Sequence, residues 1–151
     1  MKYYNILYRN TIDISRGDCY NEIANEWLKT YERIHLTAGR SGRMEQYVIG
    51  VDVGGTKTAY GVFDGAGQIV ARRRCRSDDS LSPEAFFDGV AANVRELMEE
   101  AGISPGNLRG VGIGMPSFIL FEEGRIVKTT NLTKIRDFPA RAYLMEKLGG
   151  A

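Results

Sequence analysis

The sequence predicts an α/β fold: a mixed sheet with helices, in the element order β-β-β-α-β. Three observations carry this. Two runs of strand-forming residues, 47–53 and 58–63, flank the short turn GGTK. A third run, residues 68–76, follows a second glycine-containing turn, DGAG. A stripe of apolar residues at helical spacing then leads into a fourth apolar run, residues 108–115.

Each element has its own local reasons. Residues 47–53 are β-branched and apolar with Gly50 inside, which suits a central strand buried on both faces. Residues 58–63 read as its hairpin partner. DGAG, residues 64–67, holds two glycines able to take positive φ, as a tight turn between strands requires. Residues 68–76 end in Arg72, Arg73 and Arg74. The plain reading of that run is a solvated edge strand protected from aggregation; the functional one is a phosphate or nucleic-acid contact. Ser82, Pro83 and Glu84 start a helix with a hydroxyl cap, a proline at the first position and an acid in the first turn. Phe86, Val90, Ala91 or Val94, Leu97 and Ala101 continue it, and Gly102 stops it. LRGVGIGM, residues 108–115, is a strand with glycine at alternate positions. EEG within residues 121–127 reads as a hairpin turn. Residues 137–148 read as a last helix, with Pro139 near its start and Gly149 at its end.

Residues 1–43 differ from the rest. Tyr20, Ile23, Trp27, Tyr31 and Ile34 form a helical stripe, but nothing in the segment supplies a second element to pair with it. TAGRSGR, residues 37–43, reads as a linker, and Met44 stands directly before the organised region. Two readings stay open. Residues 1–43 are an accessory helical extension, or they are upstream sequence preceding a natural start at Met44.

Composition narrows the function. The chain has 151 residues, 43% hydrophobic and 26% charged, the balance of one globular domain. A formal net charge of +1 supplies no global attraction to nucleic acid or anionic lipid. No apolar run approaches the roughly 18 residues of a membrane span, and the first residues lack a signal-peptide pattern. Cys19 and Cys75 stand in no pair motif, which predicts unlinked thiols in a reducing compartment, the cytoplasm. His35 is the only histidine, so neither a clustered metal site nor a Ser-His-Asp site is expected.

The turn GGTK carries the chemistry. A nucleoside-triphosphate P-loop needs its lysine directly after the second glycine and a helix beyond; here Thr56 intervenes and a strand follows. The dinucleotide fingerprint also needs a helix, and Met115-Pro116 breaks the Gly110, Gly112, Gly114 series. A hairpin turn that presents backbone N–H groups to a phosphate fits better. Gly54 and Gly55 allow close approach, Thr56 adds a hydroxyl and Lys57 a point charge. Asp52 would repel a bare phosphate, but suits a magnesium ion held through water between them. An ordinary tight turn with a solvated lysine is the plain alternative.

DVGGTK, residues 52–57, resembles the first phosphate motif of the actin-like ATPase superfamily, and more narrowly the ROK family of bacterial sugar kinases and repressors. GIGMP, residues 112–116, and IVKTTNL, residues 126–132, resemble that family's next two motifs in order. The similarity covers residues 46–149. It implies a ribonuclease-H-like lobe within residues 44–151. ATP phosphates would lie against Gly54, Gly55, Thr56, Lys57 and Thr58, with magnesium (Mg2+) at Asp52. Pro116, Ser117, Thr130 and Asn131 would face a hexose or N-acetylhexosamine, and a family-like homodimer is compatible. Ser117 replaces a family glycine. The resemblance also implies a general-base aspartate beyond Ala151, together with a second lobe and a zinc motif that this chain lacks. The expected function is therefore one lobe of a glucokinase-like, ATP-dependent sugar kinase, truncated before the second lobe and inactive alone. The alternatives are a sugar-responsive repressor fragment and a binding module without chemistry. One helix without a basic stripe argues against DNA binding.

Overall fold

The computed structural model describes residues 7–8 and 46–149. Among the described residues, eight strands and two α-helices follow in order: β1 (Leu7–Tyr8), β2 (Tyr47–Val53), β3 (Lys57–Phe63), β4 (Ile69–Arg76), α1 (Pro83–Glu100), β5 (Leu108–Gly114), β6 (Ser117–Leu120), β7 (Arg125–Thr129), β8 (Arg136–Phe138) and α2 (Ala140–Lys147). A 3-10 turn, Pro105–Asn107, precedes β5. The expected stripe of Tyr20 to Ile34, the linker, Met44, Cys19 and His35 lie outside the described residues. The backbone of β1 runs parallel beside β5, Leu7 opposite Ile113 and Tyr8 opposite Gly114.

The larger sheet has the order β1-β5-β2-β3-β4. β2 is central, antiparallel to β3 and parallel to β5. This mixed sheet is the β-β-β-α-β unit expected. α1 starts as its sequence dictates: Ser82 Oγ accepts the Ala85 N–H at 3.2 Å and Pro83 takes the first turn. It ends before Gly102, whose φ of 67° is the left-handed conformation glycine supplies without strain. Ile49, Val51 and Val53 of β2, Tyr60 and Val62 of β3, and Val111 and Ile113 of β5 pack against Phe87, Val90, Val94 and Leu97 of α1. Arg73 fastens the edge strand to this helix, donating to Glu96, Glu100 and Asn93. The arginine run thus splits: Arg73 turns to the helix, while Arg72 and Arg74 face solvent.

A second sheet, β6-β7-β8, contains the expected hairpin. Phe87 joins the two layers by stacking on Phe138 of β8, with centroids 5.2 Å apart. Residues 137–148 are not one helix. Arg136–Phe138 form β8, and the helix starts only at Ala140. Pro139 explains the break, because its ring forces Phe138 out of the helical region. Asp137 adds a positive φ of 46°, held by Arg125, which donates to its carboxylate at 2.9 Å and its carbonyl at 3.2 Å.

Candidate functional site

The site forms where β2 ends. Gly54 donates its N–H to the Lys57 carbonyl at 2.8 Å, closing the β2–β3 turn on itself. The turn is exposed from Gly55 to Lys57 and leads directly into a strand. Neither the Gly55 nor the Thr56 N–H has an acceptor among the described residues. The Lys57 ammonium likewise has no anionic partner among them. Two backbone donors and a cation are therefore available at the tip, the combination that binds an anion.

Both glycines stand in close quarters. A Cβ on Gly54 would lie 3.0 Å from the Lys57 carbonyl oxygen, and one on Gly55 would lie 3.1 Å from Asn131 Nδ2 and 3.2 Å from its Cβ and Cγ. Ser77, which the sequence reading overlooked, braces the turn from behind. Its N–H donates to the Thr56 carbonyl at 3.0 Å, and its hydroxyl lies 2.8 Å from Thr58 Oγ1. The available signal was a lone serine at the far end of the strand antiparallel to β3.

Thr58 departs from the expectation that it binds phosphate. It is 2% exposed and its hydroxyl is committed to Ser77. Strand alternation places it on the α1 side, in register with Val53, so its side chain offers nothing to a ligand at the turn.

Asp52 sits on the opposite side of β2, half-buried, between Ala59 and Gly114. Burial pushes its carboxyl above the ordinary carboxylate value, and no cationic side chain pairs with it among the described residues. No cluster of three or more His, Cys, Asp or Glu occurs among the described residues. A lone carboxyl oxygen of this kind is the ligand type that a hard, largely hydrated divalent cation takes.

The remaining candidates converge from the second sheet. The Pro116 carbonyl accepts the Thr130 N–H at 3.1 Å and its hydroxyl at 3.4 Å, joining the β5–β6 turn to the loop after β7. Ser117 turns its hydroxyl back onto the Met115 carbonyl at 3.1 Å. Thr130 and Asn131 are exposed, and Leu132 and Ile135 anchor their loop at 3% and 1% exposure. Asn131 rests on Gly55. The structure thus brings Asn131 to the GGTK turn, with its neighbour Thr130 bonded to Pro116. No helix among the described residues is long and apolar enough to cross a membrane.

Known proteins resemble the chain in both sequence and fold. The sequence profile of the ROK family matches residues 48–150. An N-acetyl-D-glucosamine kinase of Shigella flexneri is 36% identical over 99 residues, which are 66% of this chain and 31% of that protein. The chain therefore spans about a third of the length of the curated relatives it matches. A ROK family glucokinase from Streptomyces griseus, solved with glucose and AMPPNP, superposes with a TM-score of 0.58 at 27% identity, covering 68% of this chain and 30% of that one. A ROK family transcriptional regulator superposes with a TM-score of 0.62 over 85% of this chain and 35% of its own; at 9% identity the likeness is one of fold.

Proposed function

The chain belongs to the ROK family, and from that premise we propose that it is the phosphate-binding lobe of an ATP-dependent sugar kinase acting on a hexose or N-acetylhexosamine. The observation that carries this is the exposed GGTK turn with the unpaired Gly55 and Thr56 N–H groups above the half-buried Asp52. In this reading those two N–H groups hold phosphate oxygens and the Thr56 hydroxyl adds a donor. Lys57 places its charge at the terminal phosphate. Gly54 and Gly55 keep the approach free of side chains. Asp52 orients the inner waters of a magnesium ion, which when bound neutralises phosphate charge. Pro116, Ser117, Thr130 and Asn131 line the sugar side of the same rim.

Phosphoryl transfer depends on positioning and charge stabilisation from both sides of a cleft. These residues supply one wall, and none is placed to take a proton from a sugar hydroxyl. We therefore assign the lobe nucleotide binding without turnover, in the cytoplasm. Calorimetric titration of the chain with AMPPNP, with and without magnesium, tests the first part. Magnesium-dependent binding is expected, and no binding under either condition would remove the proposal. A coupled assay with glucose and N-acetylglucosamine tests the second, where robust phosphorylation would overturn the assignment of inactivity. The repressor alternative predicts salt-dependent DNA binding, which the same preparation can be tested for directly.

A further inference from the structure

The phosphate turn has a second cation beside it that the GGTK motif does not include. In the antiparallel ladder of β3 and β4, Arg76 stands directly opposite Lys57. Opposed residues of such a pair share a face, with Cβ atoms about 5 Å apart. The next pair, Thr58 and Cys75, turns toward the core, so Lys57 and Arg76 lie on the other face, the face of Asp52. Just beyond Arg76 the Ser77 N–H donates to the Thr56 carbonyl at 3.0 Å, which carries the ladder into the turn itself. Arg76 is thereby held beside the exposed Gly55 and Thr56.

No protein group neutralises the two cations. Both side chains are exposed, and neither has a hydrogen-bond or ion-pair partner among the described residues. Asp78 lies within the field of Arg76, yet its Oδ1 is committed to Ser80, accepting the N–H at 2.9 Å and the hydroxyl at 2.6 Å. Those bonds, ahead of the charges of Arg76 and Lys134, hold the Asp78 carboxyl below the ordinary carboxylate value. Like charges directly opposite one another destabilise a sheet. An anion bound between these two relieves that repulsion as well as gaining contacts. Arg72 and Arg74 continue the same face of β4, opposite Gly61 and Ala59. Charge that keeps an edge strand from aggregating accounts for all three arginines alike; only Arg76 stands against the lysine of the turn.

We propose that Arg76 is a phosphate-binding residue of this site. With Lys57 it closes a two-cation clamp on the terminal phosphate of a nucleoside triphosphate, an inference that rests on the reading of the turn as a phosphate cradle. The lysine supplies a point charge, and the planar guanidinium grips two oxygens of one phosphate at once. The Gly55 and Thr56 N–H groups are left for the phosphates behind it. A diphosphate does not fill the clamp, so the pair selects for triphosphates.

Calorimetry on the full chain with AMPPNP, ADP and inorganic tripolyphosphate tests this. Arg76→Gln should weaken AMPPNP and tripolyphosphate by roughly tenfold, the worth of one charged hydrogen bond, and ADP by less than about threefold. Arg72→Gln is the control. Four residues of strand put Arg72 about 13 Å from Arg76, beyond the screening length of about 8 Å at physiological salt, so it should bind all three ligands as the parent does. The melting temperature of ligand-free Arg76→Gln should hold or rise, because one of two opposed like charges is gone. Unchanged AMPPNP affinity in Arg76→Gln, an ADP loss as large as the AMPPNP loss, or an equal loss in Arg72→Gln overturns the proposal while leaving the lobe a nucleotide binder. So does a loss accompanied by a lowered melting temperature, which marks a structural role. Arg76-dependent binding of tripolyphosphate by a chain that ignores AMPPNP keeps Arg76 as a phosphate-binding residue and removes the nucleotide reading. A parent chain that binds neither removes both.

Discussion

Replacing Thr58 by valine separates a structural role from a ligand-binding one. Valine keeps the shape but removes the hydroxyl, which leaves the 6%-exposed Ser77 without its partner. Stranding a buried polar group costs about 1–3 kcal/mol. Ser77→Ala strands the Thr58 hydroxyl instead and costs a similar amount. The double variant strands neither and recovers much of the loss, so a double-mutant cycle should show a coupling of about 1–2 kcal/mol. Against a total stability on the order of 5–15 kcal/mol, such losses are easily measured. Urea denaturation supplies the measurement, with the midpoint shifting at constant slope. AMPPNP affinity of Thr58→Val should stay near that of the parent, because the Ser77 N–H still holds the Thr56 carbonyl. Additivity within about 0.5 kcal/mol, or a tenfold loss of affinity at unchanged stability, would refute the reasoning.

Three further outcomes are expected. Lys57→Met removes an exposed cation, so stability should hold while AMPPNP affinity falls by roughly tenfold or more, the worth of one charged hydrogen bond; unchanged affinity in calorimetry would remove Lys57 from the site. Burial raises the folded carboxyl of Asp52 above its unfolded value, so its contribution is present in full below the ordinary carboxylate range and is lost as pH rises through the raised value. Asp52→Asn should therefore raise the melting temperature of the ligand-free chain at neutral pH, with the gap closing on acidification; a gap independent of pH counts against this. Gly124 has a φ of 62°, and a Cβ there would meet Arg141 Cβ at 2.3 Å. Gly124→Ala should cost about 2–4 kcal/mol in urea denaturation, combining the left-handed penalty with overpacking, and a loss under about 1 kcal/mol would show that the hairpin yields.

The central strands were legible because burial on both faces leaves runs that are mostly β-branched and apolar, Asp52 excepted, and α1 because its cap, its stripe and its terminating glycine all agree. β8 was not, since three residues carry no periodicity, and Arg136–Phe138 was absorbed into the following helix. Pro139 held the correcting signal, because the residue before a proline favours extended backbone. At the site, residue types identified the turn, whereas sidedness did not follow from them. Lys57 and Thr58 are adjacent, yet one faces solvent and the other the core, because a strand already begins at Lys57. Ser77 escaped notice because its partner lies 19 positions away, across an antiparallel pairing that only the fold reveals.

The seat of Asn131 on Gly55 links events at the two rims. The amide side chain lies within 3.1–3.2 Å of where a Gly55 methyl would stand, so a displacement of one loop is felt by the other. Thermodynamic reciprocity then applies: whatever factor a ligand at one loop imposes on affinity at the other is returned in equal measure. A side chain as small as alanine at position 55 would press directly on that amide and so carry a change from one loop to the other.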